Sequence, residues 1–311
     1  MRSVLQTTIR NAVTFDGVGL HSGKPARMTI RPAGPGFGIV FRRTDCALGQ
    51  GDIPARWDLV RQSPLCTRLV NRFGIELSTV EHIMAAMVGC GLHNALVEVS
   101  GPEIPIMDGS AAVFVRAILA KGLRRSAAPV RALRVNRPVE VRRGSAAARL
   151  VPHDTLLIEF SIEFEDAAIG RQRKLLNMSN GSFVRELSNS RTFCRQADVD
   201  AMLANGLAQG GTPGVNAVVF DGDHIVSPGG LRHADEPVRH KMLDALGDLG
   251  LAGLPILGHY QGLRAGHALT NDLLHALFAD PAAFDIVECD DAMAARLPGA
   301  GVHVTEIPEV A

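Results

Sequence analysis

Two stretches of this chain run through the same order of elements: a helix, a strand and a second helix. Each first helix carries a histidine near its start. Registering His82 on His240 also places Met84 on Met242 and Gly89 on Gly247. Three identities could arise by chance, but the repeated order of elements is harder to obtain that way. A duplicated unit narrows the fold to an α+β protein of two similar domains, each a mixed sheet layered with helices. If the helical layers face each other across an active-site cleft, the two histidines converge there.

The hydrophobic pattern sets the individual elements. Strands are expected at residues 4–9, 26–30 and 96–99, with Gly17-Val18-Gly19 as a bulge or turn. A helix over residues 83–89 takes Ser78 or Thr79 as its N-cap. Ser110 caps a second helix over residues 111–121, which stops at Gly122. Further strands are expected near residues 133–135, 139–141, 156–164 and 256–262, and helices near 183–187, 236–249 and 267–278. Residues 121–131 are basic and small and contain Pro129, so the domain boundary is placed there. One domain is residues 1–126 and the other residues 131–311.

Composition excludes several classes. A chain of 311 residues suffices for two domains, each with its own core. The 32 basic residues balance 32 acidic ones, so no global field draws it to nucleic acid or an anionic membrane. The five cysteines are odd in number and lack a Cys-x-x-Cys pair. That argues against disulfides and a cysteine-based zinc site, and for a reducing, cytoplasmic setting. The first residues alternate in polarity, so no secretory signal is expected, and no apolar run is long enough to span a bilayer.

The densest chemistry lies at His240, Asp244 and Asp248. A step of four residues advances a helical side chain by about 40° net, so these three share one face. Val238, Met242, Ala245, Leu246 and Leu249 supply the apolar positions. A histidine and a carboxylate one turn apart can hold a divalent ion. Taken alone, such a pair is more often a solvated ion pair. Glu81, just before His82, reads equally well as a helix-start carboxylate favoured by the macrodipole.

Taken together the motifs resemble a known family. Thr79-Val80-Glu81-His82, Arg239-His240-Lys241-Met242-Leu243-Asp244 and Ala265-Gly266-His267-Ala268-Leu269 match the order and approximate separations of the UDP-3-O-acyl-N-acetylglucosamine deacetylases. These are zinc amidases of lipid A biosynthesis. Gly17-Val18-Gly19-Leu20-His21-Ser22-Gly23, Arg42-Arg43-Thr44-Asp45, Glu103-Ile104-Pro105-Ile106-Met107-Asp108-Gly109-Ser110, Arg191-Thr192-Phe193 and Gly247-Asp248 also match, so the resemblance covers nearly the whole chain. It implies hydrolysis of the acetamide of UDP-3-O-(3-hydroxyacyl)-N-acetylglucosamine, giving the free amine and acetate. It also implies His82, His240 and Asp244 as ligands of Zn2+ (Fe2+ being the alternative), with a position left open for water. Glu81 would be the general base. His267 would be protonated, stabilising the oxyanion or protonating the leaving amine, with Asp248 orienting its ring. Thr192 would donate its hydroxyl to the oxyanion. Lys241, about 100° from His240, is expected off the ligand face and reaching substrate. Simpler readings stay open: His267 as a helix-start histidine, Asp248 as solvated, Lys241 as a surface lysine.

For the substrate, the resemblance puts Glu163 and Phe164 at the uracil and Arg264 at the diphosphate, although strand packing would give the same local pattern. Leu65, Cys66, Phe193, Val199, Met202 and Val219 are the other implied substrate contacts. An insert at about residues 194–222 would form the acyl-chain passage. Cys194-Arg195-Gln196 departs from the family there, where glycine and an apolar residue are usual, and this bears on acyl selectivity rather than on the reaction. One rival reading is a catalytically silent binder of UDP-sugars, which would not need Glu81, Thr192, Asp248 and His267. Another is an amidase for a different N-acylated nucleotide sugar. The expected partner is a small UDP-linked acyl-glucosamine, with no nucleic acid, no membrane span and a monomeric chain.

Overall fold

Alternating apolar and polar residues pair into two mixed sheets in the computed structural model, which describes residues 4–63 and 65–308. The first runs in the order Val13–Val18, Pro25–Pro32, Ala95–Val99, Ile39–Arg43, Asp52–Pro54. Its central strand, Ala95–Val99, lies antiparallel to Pro25–Pro32 and parallel to Ile39–Arg43. The second sheet is centred on Ile256–Leu263, antiparallel to Ala146–Val151 and parallel to Leu156–Glu163. Val139–Arg143 and Arg171–Asn177 extend it as antiparallel outer partners, as Val13–Val18 and Asp52–Pro54 do in the first. Five strands are therefore connected alike in both halves, and the second sheet adds Arg131–Val135 and Phe284–Glu288.

The α-helices among the described residues are α1 (Glu81–Gly89), α2 (Ala112–Lys121), α3 (Gln196–Ala204), α4 (Glu236–Gly250), α5 (His267–Phe278) and the short α6 (Asp291–Ala294), and the helix expected near residues 183–187 is a wider π turn, Phe183–Leu187. In sequence, α1 and α2 flank the central strand of the first sheet, as α4 and α5 flank that of the second. The duplicated α+β reading is borne out, and α1 packs along α4 so that the helical layers face each other. Every residue of α1 except Val88 is buried. Met84 and Met87 of α1, Leu243 and Leu246 of α4, and the inner faces of both sheets belong to one continuous apolar cluster. Separate cores were expected. They merge because the buried faces of the two helical layers are one and the same interface.

The structure corrects two local expectations. Helix α1 starts at Glu81 without a side-chain cap, since Thr79 sits at φ 60° and its hydroxyl donates to Glu103 at 3.0 Å. The basic segment read as a linker contains the strand Leu123–Pro129, antiparallel to Leu5–Ile9. Gly122 ends α2 at φ 72°, as expected. Among the described residues no helix is long and apolar enough to cross a membrane.

One glycine decides how closely the layers meet. A Cβ at Gly247 would fall 2.1 Å from the carbonyl oxygen of Glu81, so only a residue without one lets α4 reach the start of α1. Gly247→Ala must push the helices apart. We expect it to cost about 1–3 kcal/mol, the usual penalty of overpacking, read as a lower midpoint in chemical denaturation.

His93 supplies a pH-dependent element. Its Nδ1 accepts the backbone N–H of Thr7 at 3.2 Å, which ties the strand Leu5–Ile9 to the turn after α1 and requires a neutral nitrogen. Burial pushes its pKa down to about 4. The unfolded chain, with an ordinary histidine, binds the proton first. This contribution to stability is therefore present above about pH 6.5 and lost as the pH falls towards 4, amounting to at most about 3 kcal/mol. Denaturation midpoints followed over that window should fall more steeply for the parent chain than for His93→Asn.

Candidate metal-dependent active site

The facing helices bring together side chains that lie far apart in sequence. His82 projects from the first turn of α1, and His240 and Asp244 from successive turns of α4. The imidazole centroids lie 5.0 Å apart. Asp244 Oδ1 is 3.3 Å from His240 Nε2 and 3.6 Å from His82 Nε2, and all three side chains are buried. His240 Nδ1 donates to the Ser190 carbonyl at 3.0 Å, which leaves Nε2 as a lone pair turned towards that oxygen. Asp244 Oδ1 has no hydrogen-bond partner. Two imidazole nitrogens converging on an unpartnered carboxylate oxygen in a buried space are a donor set suited to a cation. These three residues are the group among the described residues placed to hold a metal ion.

The electrostatics agree with that geometry. Burial pushes His82 down to about 3, with His240 adding to the effect, and burial likewise lowers His240, so both rings are neutral. Burial works against ionised Asp244, but its basic neighbours outweigh it and hold the carboxyl well below the usual range, and at neutral pH the charged ones are Lys241 and His267. Lys241 Nζ donates to Asp244 Oδ2 at 2.6 Å. Lys241 starts off the ligand face, as expected, but its ammonium reaches back to Asp244. Three residues advance the side chain by about 300°, which is 60° short of a full turn, and the flexible four-carbon stem covers the difference.

On the other side of the cluster lies an acid–base pair. Burial raises Glu81 to about 8, with His267 opposing and Asp244 and Asp248 adding to the rise. His267, the first residue of α5, donates from Nδ1 to Asp248 Oδ2 at 2.9 Å. Burial alone would lower its pKa, but the Asp248 carboxylate outweighs that and raises it to about 9, so the ring carries a proton at neutral pH. Its Nε2 stands 4.0 Å from Glu81 Oε1 and 3.9 Å from Asp244 Oδ2. Thr192 is half-buried two residues beyond the Ser190 carbonyl, its N–H donating to Gly109 at 2.8 Å and its carbonyl accepting from Val218 at 2.9 Å.

The outer residues fall into two groups. Phe193 lies 6.3 Å from the His240 ring and 5.6 Å from Phe164. Glu163 is held by Arg264 at 2.7 Å and by Arg171 at 2.6 Å, so Glu163, Phe164, Phe193 and Arg264 are brought to one side of the cluster. Leu65 is half-buried and Cys66 buried, and burial raises the Cys66 thiol to about 12, with Glu81 adding to the effect. The insert folds as Phe193–Arg195, α3 and Val218–Asp221, with the two strands parallel. Val199 and Met202 are half-buried on α3, whereas Val219 is 1% exposed.

Sequence reasoning missed several supports. The buried Glu236 carboxylate accepts the Arg191 backbone N–H at 2.8 Å and pairs with its guanidinium, anchoring residues 190–193 to the start of α4. Buried Glu103 accepts the N–H groups of His21 and Ser22, each at 2.9 Å, together with the Thr79 hydroxyl. Thr67 touches both Glu81 and Asp248. The recurrence of Arg191 and Glu103 within the matched motifs was the available signal; Thr67 carried none.

An α+β protein that sets two neutral imidazoles and an ionised carboxylate beside a buried carboxyl and a charged histidine defines a metal-dependent hydrolase. Comparison with known proteins narrows the class. The family model described as LpxC, UDP-3-O-acyl N-acetylglycosamine deacetylase, matches residues 6–279, and the chain belongs to that family. It is 42% identical over 307 residues to the UDP-3-O-acyl-N-acetylglucosamine deacetylase of Shewanella frigidimarina, covering 97% of this chain and all of that one. It is 43% identical over 293 residues to the same-named protein of Idiomarina loihiensis, covering 94% and 95% of the two chains.

The donor set predicts the stoichiometry. Purified protein should carry about one divalent ion per chain by elemental analysis. Replacing His82, His240 or Asp244 with alanine should lower metal affinity by more than the roughly 10–100-fold expected for loss of an outer support.

Proposed function

We propose that this chain hydrolyses the N-acetyl group of UDP-3-O-(3-hydroxyacyl)-N-acetylglucosamine, releasing acetate and the free amine in the committed step of lipid A biosynthesis. The observation that carries this reading is the placement of Glu81 and His267. They face the metal-ligand cluster together, one a buried carboxyl, the other an imidazole that Asp248 keeps charged. A binding protein without turnover has no use for that pairing. The ion is Zn2+, with Fe2+ also compatible with two imidazoles and a carboxylate, and when bound it supplies Lewis acidity towards water and the amide oxygen.

The remaining work falls to the protein. Glu81, ionised, accepts a proton from the attacking water. A nearby divalent cation favours its ionised form, against the upward push of burial. His267 holds its proton until the tetrahedral centre collapses and passes it from Nε2 to the departing nitrogen. Asp248 keeps that imidazole charged and oriented through Nδ1. Thr192 and His267 share the oxyanion charge. Lys241 holds Asp244 Oδ2, which leaves Oδ1 turned towards the two rings.

Substrate recognition is assigned to the same side of the cluster. Phe164 and Glu163 take the uracil and Arg264 the diphosphate, which must compete with Glu163 for its guanidinium. Phe193, Leu65 and Cys66 line the approach. Val199, Met202 and Val219 belong to the acyl-chain passage formed by residues 194–222. The chain divides into domains 1–126 and 131–311, and it acts as a monomer in the cytoplasm.

Glu81→Ala should retain its metal and lose roughly 10²–10⁴-fold in turnover, measured as acetate released from the UDP-linked substrate. Full turnover in that variant contradicts the assignment of the base. Stripping the metal with a chelator should abolish acetate release, and adding zinc back should restore it.

A further inference from the structure

Thr67 is 3% exposed at the entry to the strand Arg68–Val70, and it touches both halves of the acid–base machinery. Its backbone N–H donates to Glu81 Oε2 at 3.0 Å, and its hydroxyl donates to Asp248 Oδ1. Each carboxylate is thereby divided: one oxygen is taken by Thr67 and the other faces His267. Asp248 Oδ2 accepts from Nδ1 at 2.9 Å, and Glu81 Oε1 lies 4.0 Å from Nε2. The Thr67 carbonyl accepts the Val80 N–H at 3.3 Å, one residue before Glu81, so Thr67 cannot shift without moving the start of α1. It also joins the two halves of the molecule, since Glu81 belongs to the first and Asp248 to the second.

We infer that Thr67 is a positioning residue for the hydrolysis, fixing the orientation of the base relative to that of the Asp248–His267 pair. The inference rests on the roles proposed above for Glu81 and His267. A buried carboxylate that loses a hydrogen-bond donor on one oxygen regains one by rotating, and rotation of Asp248 carries Oδ2 away from the imidazole. Valine in place of Thr67 preserves the branched shape and the backbone N–H to Glu81 while removing only the hydroxyl. Serine restores the hydroxyl and gives up the methyl group. A packing role and a hydrogen-bonding role therefore predict opposite rankings of the two variants.

The test uses metal-loaded Thr67→Val and Thr67→Ser with two readouts. In steady-state kinetics on the UDP-linked substrate, Thr67→Val should lose about 10–100-fold in kcat, the worth of one hydrogen bond to a charged group, with KM within about twofold. Thr67→Ser should stay within about threefold of the parent. In nitrogen-15 NMR of histidine-labelled protein, the Nδ1 proton resonance of His267, assigned by its loss in His267→Gln, should shift or broaden in Thr67→Val and persist in Thr67→Ser. An unchanged resonance in Thr67→Val overturns the inference, as does a serine variant as impaired as the valine one. If the parent protein releases no acetate while the resonance responds as expected, the proposed reaction fails, and with it Thr67's part in that reaction, while its orienting of the Asp248–His267 pair stands.

Discussion

The site depends on the contact between Gly247 of α4 and the Glu81 carbonyl at the start of α1. A helix pair held even one methyl group further apart would separate His82 from Asp244, whose Nε2 and Oδ1 are now 3.6 Å apart. It would also draw Glu81 away from His267. Everything polar in the site hangs on an apolar crossing in which all of α1 except Val88 is buried. At the crossing itself there is no slack, since a Cβ at Gly247 would fall 2.1 Å from the Glu81 carbonyl oxygen. Groups so placed would lose little to reorganisation in the proposed reaction.

Burying so many ionisable groups is costly unless their charges offset one another. Asp244 and Asp248 are met by Lys241 and the protonated His267, through hydrogen bonds of 2.6 and 2.9 Å. Glu81 is the carboxylate left over, and burial accordingly favours its protonated form. His82, His240 and Asp244 would hold a divalent cation close enough to favour the ionised form of Glu81 that a general base requires. In the proposed reaction metal affinity and base strength would be coupled through one charge balance, although Glu81 is not among the three proposed ligands.

Much of this was legible in the sequence, for definable reasons. The four-residue spacing of His240, Asp244 and Asp248 fixes one helical face without tertiary information, and the register of His82 on His240 exposed the duplication that the strand connectivity bears out. Contacts made by backbone atoms or flexible side chains were not legible. Lys241 reaches Asp244 by bending a long stem, which a helical wheel does not register. Thr67 acts through its own N–H and a hydroxyl pointing 181 residues ahead, so no local pattern marks it. The strand Leu123–Pro129 was hidden because its partner, Leu5–Ile9, lies at the opposite end of the first half.

Arg195, where the resemblance led us to expect a different residue, is accommodated by the protein itself. An arginine beside an acyl passage would ordinarily place an unpaired cation against apolar substrate. Here its Nε lies 2.5 Å from Asp166 Oδ2, and the other oxygen of that buried carboxylate accepts the Gly222 N–H at 3.1 Å. The cation is therefore turned towards the loop that follows Leu156–Glu163, where Asp166 ties the strand Phe193–Arg195 to the turn after Val218–Asp221. Gln196 is occupied by a hydrogen bond to Asp200 on the exposed side of α3 at 2.8 Å. The polar substitutions are absorbed by partners within and beside the insert. Val199, Met202 and the largely exposed Leu203 are the apolar side chains that α3 offers, and neither polar residue that precedes them is left without a partner.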